Sequence, residues 1–252
     1  MKTVYACFTT DVIHAGHLNI IREAQKYGRL IAGVMSDAAL VKFDRFPTIS
    51  QDERMALLKA QEGVSEVVLQ DAVMYDRIID QIKPDYVIHG DNWLTGPQKA
   101  IRDNAEKALA VTGGQIIDVP YTYNDDVKRT DARIRAKLMM PEFRRRRLRQ
   151  LLQLRPIVKA IEVHSGLTGL LAEKTVVEHN GELDQFDAQW ISSLCDSTAK
   201  GKPDIELVDM TSRLRTIDDV MEVTTKPIVF DGDTGGMIEH FVYTVRSLER
   251  MG

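Results

Sequence analysis

The sequence predicts an α/β fold in which helices connect the strands of a parallel sheet. Short runs rich in Val, Ile and Tyr alternate with segments of helical periodicity along most of the chain. Gly or Pro residues follow the predicted helices, where a left-handed or helix-breaking residue is favoured. The chain has 252 residues, 44% of them hydrophobic, and a formal charge of −4, so it can bury one large core or two modest ones. We expect two domains.

The first domain is predicted over residues 1–138 as an open, Rossmann-like sheet of five parallel strands with helices on both faces. Each strand precedes its helix, which is the order that parallel strands with crossover helices require. The strands are predicted at 3–8, 30–35, 66–69, 86–89 and 115–119, and the helices at 16–27, 50–61, 75–82 and 97–112.

A basic segment over residues 139–156 separates this domain from the next. Its run of arginines would suit a nucleic acid or a membrane surface, but four leucines give it an apolar stripe. We therefore interpret it as a linker helix that packs on the second domain. The leucines are Leu148, Leu151, Leu152 and Leu154. Residues 157–252 then contain three strand–helix units, with strands predicted at 158–163, 189–194 and 227–231 and helices at 167–176, 209–223 and 237–250.

Two histidines mark the junction between the first predicted strand and helix, in the stretch TTDVIHAGHLNI. A helix that begins near Ala15 exposes unpaired backbone N–H groups and a positive dipole end, which favour phosphate oxygens. Gly16 leaves that end open, and His14 and His17 are three positions apart, so both would face the same anion. Imidazole donors fixed there would stabilise the charge that develops on a phosphorus centre during transfer. The alternative is that His14 only caps the helix and His17 only packs.

This H-x-G-H at a strand-to-helix turn resembles the signature of the nucleotidyltransferase superfamily that includes the cytidylyltransferases. The resemblance implies that His14 and His17 assist transfer of a nucleotidyl group to an acceptor. It also implies that Phe8, Thr9 and Thr10 line the nucleotide pocket, although Phe8 replaces a glycine that is common there.

The stretch HGDNW follows the fourth predicted strand and resembles the G-D-D/N-W sequence of the CTP-using members. Ligands bind at the carboxyl ends of the strands in such sheets. The resemblance therefore implies that the whole stretch lines the nucleotide and acceptor pocket. Its residues are His89, Gly90, Asp91, Asn92 and Trp93. The alternative for Trp93 is a surface anchor.

Basic residues elsewhere match family positions that contact phosphates. Lys42 follows the second strand and Arg54 lies on the next helix, although each alone would more often be a solvated charge. The segment KRTDARIR matches in part a family segment that meets the triphosphate. Thr130 keeps a hydroxyl there, and Arg129 and Arg133 would supply contacts to the leaving pyrophosphate.

In the second domain, Asp231 and Asp233 end a predicted strand and project to the same side of it. Mg²⁺ typically takes one or two carboxylates and keeps several waters. The stretch DGDTGG resembles the D-x-D-T-G-x-G sequence of the phosphoenolpyruvate mutase and isocitrate lyase superfamily. The resemblance implies that both aspartates hold Mg²⁺ through water. It also implies a substrate site formed by Trp190, Ser192, Ser193, Leu194 and Asp204.

Core packing is the alternative for Trp190 and Leu194. That superfamily forms an eight-unit barrel, whereas only three units are predicted here. We therefore expect a partial (β/α)8 barrel from a longer protein, without mutase activity of its own.

The two resemblances together predict a cytoplasmic, bifunctional enzyme of phosphonate biosynthesis. Its main predicted activity is transfer of CMP from CTP, with Mg²⁺, to 2-hydroxyethylphosphonate or 2-aminoethylphosphonate, with release of pyrophosphate. Phosphoenolpyruvate mutase activity, glycerol 3-phosphate as the acceptor and a noncatalytic nucleotide sensor are the alternatives. No apolar run is long enough to span a bilayer, and the amino terminus begins a strand rather than a signal peptide. We expect small-molecule substrates and a homodimer, and neither nucleic acid nor membrane as a partner.

Overall fold

The chain divides into two compact units in a computed structural model. The first comprises Met1–Asp131 with Val177–Asp184, and the second comprises Ala132–Val176 with Gln185–Gly252. The structure describes residues 2–9, 12–42, 46–120, 122, 133, 136, 138–179 and 182–252.

The first unit alternates strands and helices from its amino terminus. Each strand of its five-stranded sheet lies within two residues of its predicted bounds. The elements are β1 (Thr3–Phe8), α1 (Ala15–Gln25), β2 (Arg29–Met35), α2 (Asp37–Lys42), α3 (Gln51–Lys59), β3 (Val64–Gln70), α4 (Asp76–Ile82), β4 (Tyr86–Gly90), α5 (Lys99–Thr112) and β5 (Gln115–Val119).

The five strands form one parallel sheet in the order β3-β2-β1-β4-β5, which confirms the predicted fold class. Val4, Tyr5 and Ala6 of the central strand are successive and all buried, as expected for a parallel strand covered on both faces. The order reverses between β1 and β4. In such sheets the crevice outside the carboxyl ends of the two strands at the reversal is the usual ligand site.

Two features of this unit were not predicted. The short helix α2 begins directly after β2, where the Ser36 hydroxyl accepts a hydrogen bond from the backbone N–H of Ala39 at 3.2 Å. Six residues are too few to give a clear helical period in the sequence. The second feature is an antiparallel hairpin of β7 (Val177–His179) and β8 (Glu182–Asp184), which belongs to the first unit although it follows the second unit's first helices in sequence.

The second unit contains the three predicted strand–helix units. Three parallel strands form its sheet, in the order β10-β9-β6. The elements are α6 (Pro141–Leu154), β6 (Ala160–Glu162), α7 (Gly166–Lys174), β9 (Ala188–Ile191), α8 (Ser193–Ala199), α9 (Met210–Met221), β10 (Ile228–Phe230) and α10 (Ile238–Met251). Its core is a cluster of Val163, Ala172, Ile191, Ile217 and Val220.

The predicted strand 189–194 is wrong at its carboxyl end. The strand stops at Ile191 because Ser192 begins a helix, and its hydroxyl accepts a hydrogen bond from the backbone N–H of Cys195 at 3.4 Å. Ser193 and Leu194 therefore lie in the first turn of α8 and not on a strand.

The basic segment is a helix that packs on the second unit, as predicted, but its leucine stripe is only part of the contact. Leu151 is buried and Leu152 is exposed. Arg144 is buried instead, and its guanidinium donates to the backbone carbonyls of Met221 at 2.6 Å and Thr224 at 2.7 Å. In the described part of the chain, no helix is long and apolar enough to cross a bilayer.

Candidate active site

The H-x-G-H stretch and the HGDNW stretch meet at the reversal of strand order in the first unit. The first follows β1 and the second ends β4, so both lie at the carboxyl edge of neighbouring strands. This is the edge at which the fold is expected to bind ligands.

The structure brings the two histidine rings together at the start of α1. The ring centroids of His14 and His17 are 3.9 Å apart, and both side chains are half-buried. Nδ1 of His14 accepts a hydrogen bond from the backbone N–H of Gly16 at 3.1 Å. Nδ1 of His17 accepts one from the backbone N–H of His14 at 3.3 Å. The two imidazoles thus form a reciprocal cap of the helix.

This cap shows that several of the first backbone N–H groups of α1 are already paired, whereas the sequence predicts unpaired ones. It also defines the tautomers of both histidine rings. The Gly16 N–H bonds to His14, and the N–H groups of His17 and Leu18 bond to the His14 carbonyl. A neutral imidazole has one donor and one acceptor nitrogen. Since Nδ1 is the acceptor in both rings, Nε2 carries the proton. Each ring therefore has its remaining N–H donor at Nε2.

Gly16 is required by the His14 ring itself. A β-carbon at position 16 would lie 3.0 Å from Cε1 and 3.2 Å from Nδ1 of His14. Any larger residue would therefore push the ring away from the helix start.

Phe8 and Thr9 occupy different environments. Phe8 is buried and packs against the His17 ring, with centroids 5.9 Å apart in an edge-on arrangement. It therefore supports a histidine rather than lining an open pocket, which corrects its predicted role. Thr9 is half-buried immediately after β1.

Trp93 is neither a pocket wall nor a surface anchor, which corrects both interpretations. Its side chain is 1% exposed, and its indole Nε1 donates to a carboxylate oxygen of Asp118 at 2.7 Å. The His89 ring stacks on it with centroids 4.0 Å apart and planes 14° from parallel. Asp91 is half-buried, and Asn92 is exposed.

Lys42 and Arg54 lie near the carboxyl end of β2. Lys42 is the last residue of α2 and forms an ion pair with Glu182 at 3.4 Å, with both side chains about half exposed. Arg54 is 2% exposed, so the interpretation as a solvated charge is wrong. It donates to the Met35 carbonyl at 2.8 Å and pairs with Asp37.

The predicted triphosphate segment lies mostly outside the described residues. Arg129 and Thr130 of this segment are outside the described residues. Thr10, which follows β1, is outside them too. Arg133 is described as helical and exposed.

In the second unit, Ser193 lies between two of the predicted aspartates. Its hydroxyl is 3.1 Å from a carboxylate oxygen of Asp231 and 3.4 Å from one of Asp204. The backbone N–H of Asp233 also donates to Asp231 at 3.0 Å. This bond, together with those from Ser193, lowers the pKa of Asp231 despite its partial burial.

Asp233 forms an ion pair with a buried arginine, Arg213. Arg213 donates to the Asp233 carboxylate at 2.9 Å and to the Asp231 carbonyl at 2.5 Å. Arg213 is 3% exposed, so its charge already neutralises Asp233. Within the described ranges, no group of three or more His, Cys, Asp or Glu side chains is placed to hold a metal. Mg²⁺ binding through water at Asp231 and Asp233 stays a prediction.

Trp190 and Leu194 are about half exposed, at 47% and 57%, so core packing does not explain them. Ser192 is the cap of α8, and Asp204 is exposed.

Comparison with known families agrees with this geometry. Residues 6–159 match the Cytidylyltransferase-like family model, which is more than half of the chain. The chain belongs to this family. Residues 148–252 match the model described as Phosphoenolpyruvate phosphomutase, so the carboxyl-terminal part is mutase-like.

Similar proteins cover about half of this chain or less. An FAD synthase from Methanospirillum hungatei is 29% identical over 137 residues, which is 53% of this chain and 88% of that protein. An ethanolamine-phosphate cytidylyltransferase from Arabidopsis thaliana is 36% identical over 92 residues, which is 34% of this chain and 21% of that protein. The crystal structure of a lipopolysaccharide core biosynthesis protein from Thermoplasma volcanium is 20% identical, with a TM-score of 0.42 over 50% of this chain and 99% of that one.

Sequence reasoning missed Asp118, Arg102 and Arg213. Asp118 and Arg102 carry the hydrogen bonds around Trp93, and Arg213 neutralises Asp233. Each lies in a strand or helix pattern where a charged residue would ordinarily face solvent. No local signal in the sequence indicates these contacts.

Proposed function

We propose that the chain transfers the CMP group of CTP to a small phosphonate, 2-hydroxyethylphosphonate or 2-aminoethylphosphonate. A phosphonate oxygen attacks the α-phosphorus of Mg–CTP in line, the bond from that phosphorus to the bridging oxygen breaks, and pyrophosphate leaves. Mg²⁺ enters with the nucleotide as part of the substrate. The reaction requires no covalent enzyme intermediate.

The observation that carries this proposal is the reciprocal cap of His14 and His17. The backbone holds both rings through Nδ1, so their Nε2–H donors are fixed before a substrate binds. Donors that need no rearrangement stabilise developing charge most effectively. Lys42 lies at the same edge of the sheet and would contribute a positive charge toward the phosphates.

The phosphonate acceptor is supported by the combination of families in one chain. A mutase forms the carbon–phosphorus bond of a phosphonate, and a cytidylyltransferase activates the phosphonate later. This pairing resembles the bifunctional enzyme of fosfomycin biosynthesis. Because FAD contains adenine and the plant relative is named for cytidylyl transfer, ATP is the competing nucleotide.

The test is a panel of acceptors with CTP or ATP, read by pyrophosphate release. The panel contains both phosphonates and glycerol 3-phosphate. We expect turnover with CTP and a phosphonate, and loss of that turnover in His17→Ala. Turnover with ATP alone would contradict the cytidylyl assignment. CTP binding without pyrophosphate release from any acceptor would favour a sensor.

A second candidate function is phosphoenolpyruvate mutase activity. The family match over residues 148–252 and the approach of Ser193 to Asp204 and Asp231 favour it. If it operates, phosphonopyruvate with Mg²⁺ should yield phosphoenolpyruvate, and Asp204→Ala should abolish that conversion.

A further inference from the structure

His89 and Asp118 are neighbours across two strands at the predicted substrate edge. They are register partners on the parallel strands β4 and β5, so their side chains emerge side by side from the sheet. Trp93 follows β4 in a short 3₁₀ turn, Asp91–Trp93. That turn brings the indole over the His89 ring and its N–H to the Asp118 carboxylate.

The carboxylate is held from its other side as well. Arg102 on α5 donates to the second oxygen of Asp118 at 2.9 Å, while the indole of Trp93 donates to the first at 2.7 Å. Partial burial opposes ionisation of Asp118, but the hydrogen bonds from Arg102 and Trp93 prevail and lower its pKa. Asp118 is therefore a fixed anion, and it accepts from a buried N–H that would otherwise have no water to bond.

Two contacts then fix the His89 ring. Its face lies on Trp93 at 4.0 Å, and its Nδ1 donates to the Gly90 carbonyl at 2.8 Å, since a carbonyl oxygen can only accept. The indole, held in place by Asp118, therefore restricts rotation of the His89 ring that stacks on it.

We propose that Asp118, braced by Arg102, is a positioning residue that holds Trp93 and, through the ring stack, sets the orientation of His89 toward the nucleotide. This inference rests on the proposed function, in which His89 belongs to the CTP pocket. It assigns a role to two residues that no motif contains, and it changes the role of Trp93 from a pocket wall to an intermediate support.

The first test measures the hydrogen bond from the Trp93 indole to Asp118 directly and does not depend on enzyme activity. The chain has two tryptophans, so its proton–nitrogen NMR spectrum contains two indole N–H signals, which Trp93→Phe assigns. We expect the Trp93 signal to exchange slowly with solvent in the wild type and about ten-fold faster or more in Asp118→Ala. Asp118→Asn keeps an acceptor oxygen and should restore most of the protection. Unchanged exchange in Asp118→Ala would overturn the proposal.

The second test reads the consequence in the pyrophosphate-release assay. We expect Asp118→Ala to raise the KM for CTP about ten-fold and to change kcat by less than about three-fold, with rescue in Asp118→Asn. Glu106→Ala is the matched control, because it removes an exposed partner of the same Arg102, at 3.2 Å, and should change neither constant. A loss confined to kcat, or no rescue by asparagine, would overturn the proposal. A wild type that releases no pyrophosphate from CTP would refute the proposed function instead, and the exchange test would still decide whether Asp118 holds Trp93.

Discussion

Replacing His14 by asparagine separates the two roles that the structure gives this residue. His14 caps α1 through Nδ1, and the proposed function assigns its Nε2–H to the phosphate. Asparagine is among the best cap residues, so His14→Asn should change the free energy of unfolding by no more than about 0.5 kcal/mol. His14→Ala, which loses the cap too, should cost about 1 kcal/mol.

The expected effect on catalysis is much larger. Loss of one fixed donor to a developing anion typically lowers kcat by about 100- to 1,000-fold, or roughly 2.7–4 kcal/mol. We expect a loss of kcat in this range for His14, because the backbone N–H of Gly16 already holds the ring in place. Both variants should therefore show the same loss of kcat in the pyrophosphate-release assay, although only His14→Ala loses stability in urea.

Ser50→Ala is the control for the loss of a cap alone. The Ser50 hydroxyl caps α3 by accepting from the backbone N–H of Glu53 at 3.3 Å. Its removal should cost about 1 kcal/mol of stability and leave kcat unchanged. If His14→Asn keeps more than about a tenth of the wild-type kcat, His14 is a cap only and the reasoning fails.

Three further variants test the surrounding structure. Gly16→Ala should displace the His14 ring by a few tenths of an ångström and therefore lower kcat about ten-fold. Its free energy of unfolding in urea should change little, because a gain in helix propensity of up to about 1 kcal/mol offsets the weakened cap. Arg54→Met should lower the unfolding free energy of the first unit by about 3 kcal/mol, because it leaves the Met35 carbonyl and Asp37 without a buried cation; a loss below about 1 kcal/mol would contradict this. Asp118 has a lowered pKa, so its contribution to stability is present above the ordinary value of about 3.9 and disappears as the pH falls through the folded-state value. Asp118→Asn should therefore reduce the loss of unfolding free energy that the wild type shows at acid pH. An unchanged loss would contradict the conclusion that Asp118 has a lowered pKa in the folded protein.

The sheet of the first unit could be predicted because its inner strands β1 and β2 are buried on both faces. In such a strand, Val4–Phe8 is an uninterrupted apolar run, and glycine or proline follows the helices between strands. Helix α2 gave no such signal, because it spans fewer than two turns. The run from Gln189 to Leu194 reads as a continuous strand, but the cap at Ser192 ends it.

The burial of several charged residues and of Trp93 could not be predicted from local sequence patterns. Arg54 and Arg144 are buried because they donate to backbone carbonyls, and any residue type supplies a carbonyl. Trp93 is buried because its acceptor, Asp118, lies on the neighbouring strand. Sequence spacing located His14, His17 and the stretch around His89, but only the paired strands show which side chains hold them.

The histidine cap also changes how this helix end would bind an anion. An open helix amino terminus offers backbone N–H groups directly to a phosphate. Here the Gly16 N–H donates to Nδ1 of His14, and the proton of the same ring lies on Nε2. A hydrogen bond received at one nitrogen polarises the ring, and linked hydrogen bonds of this kind strengthen one another. The imidazole therefore transmits the polarity of the amino-terminal end of α1 to its own Nε2–H. This explains why the resemblance to the cytidylyltransferases is carried by two histidines and an intervening glycine rather than by a glycine-rich loop.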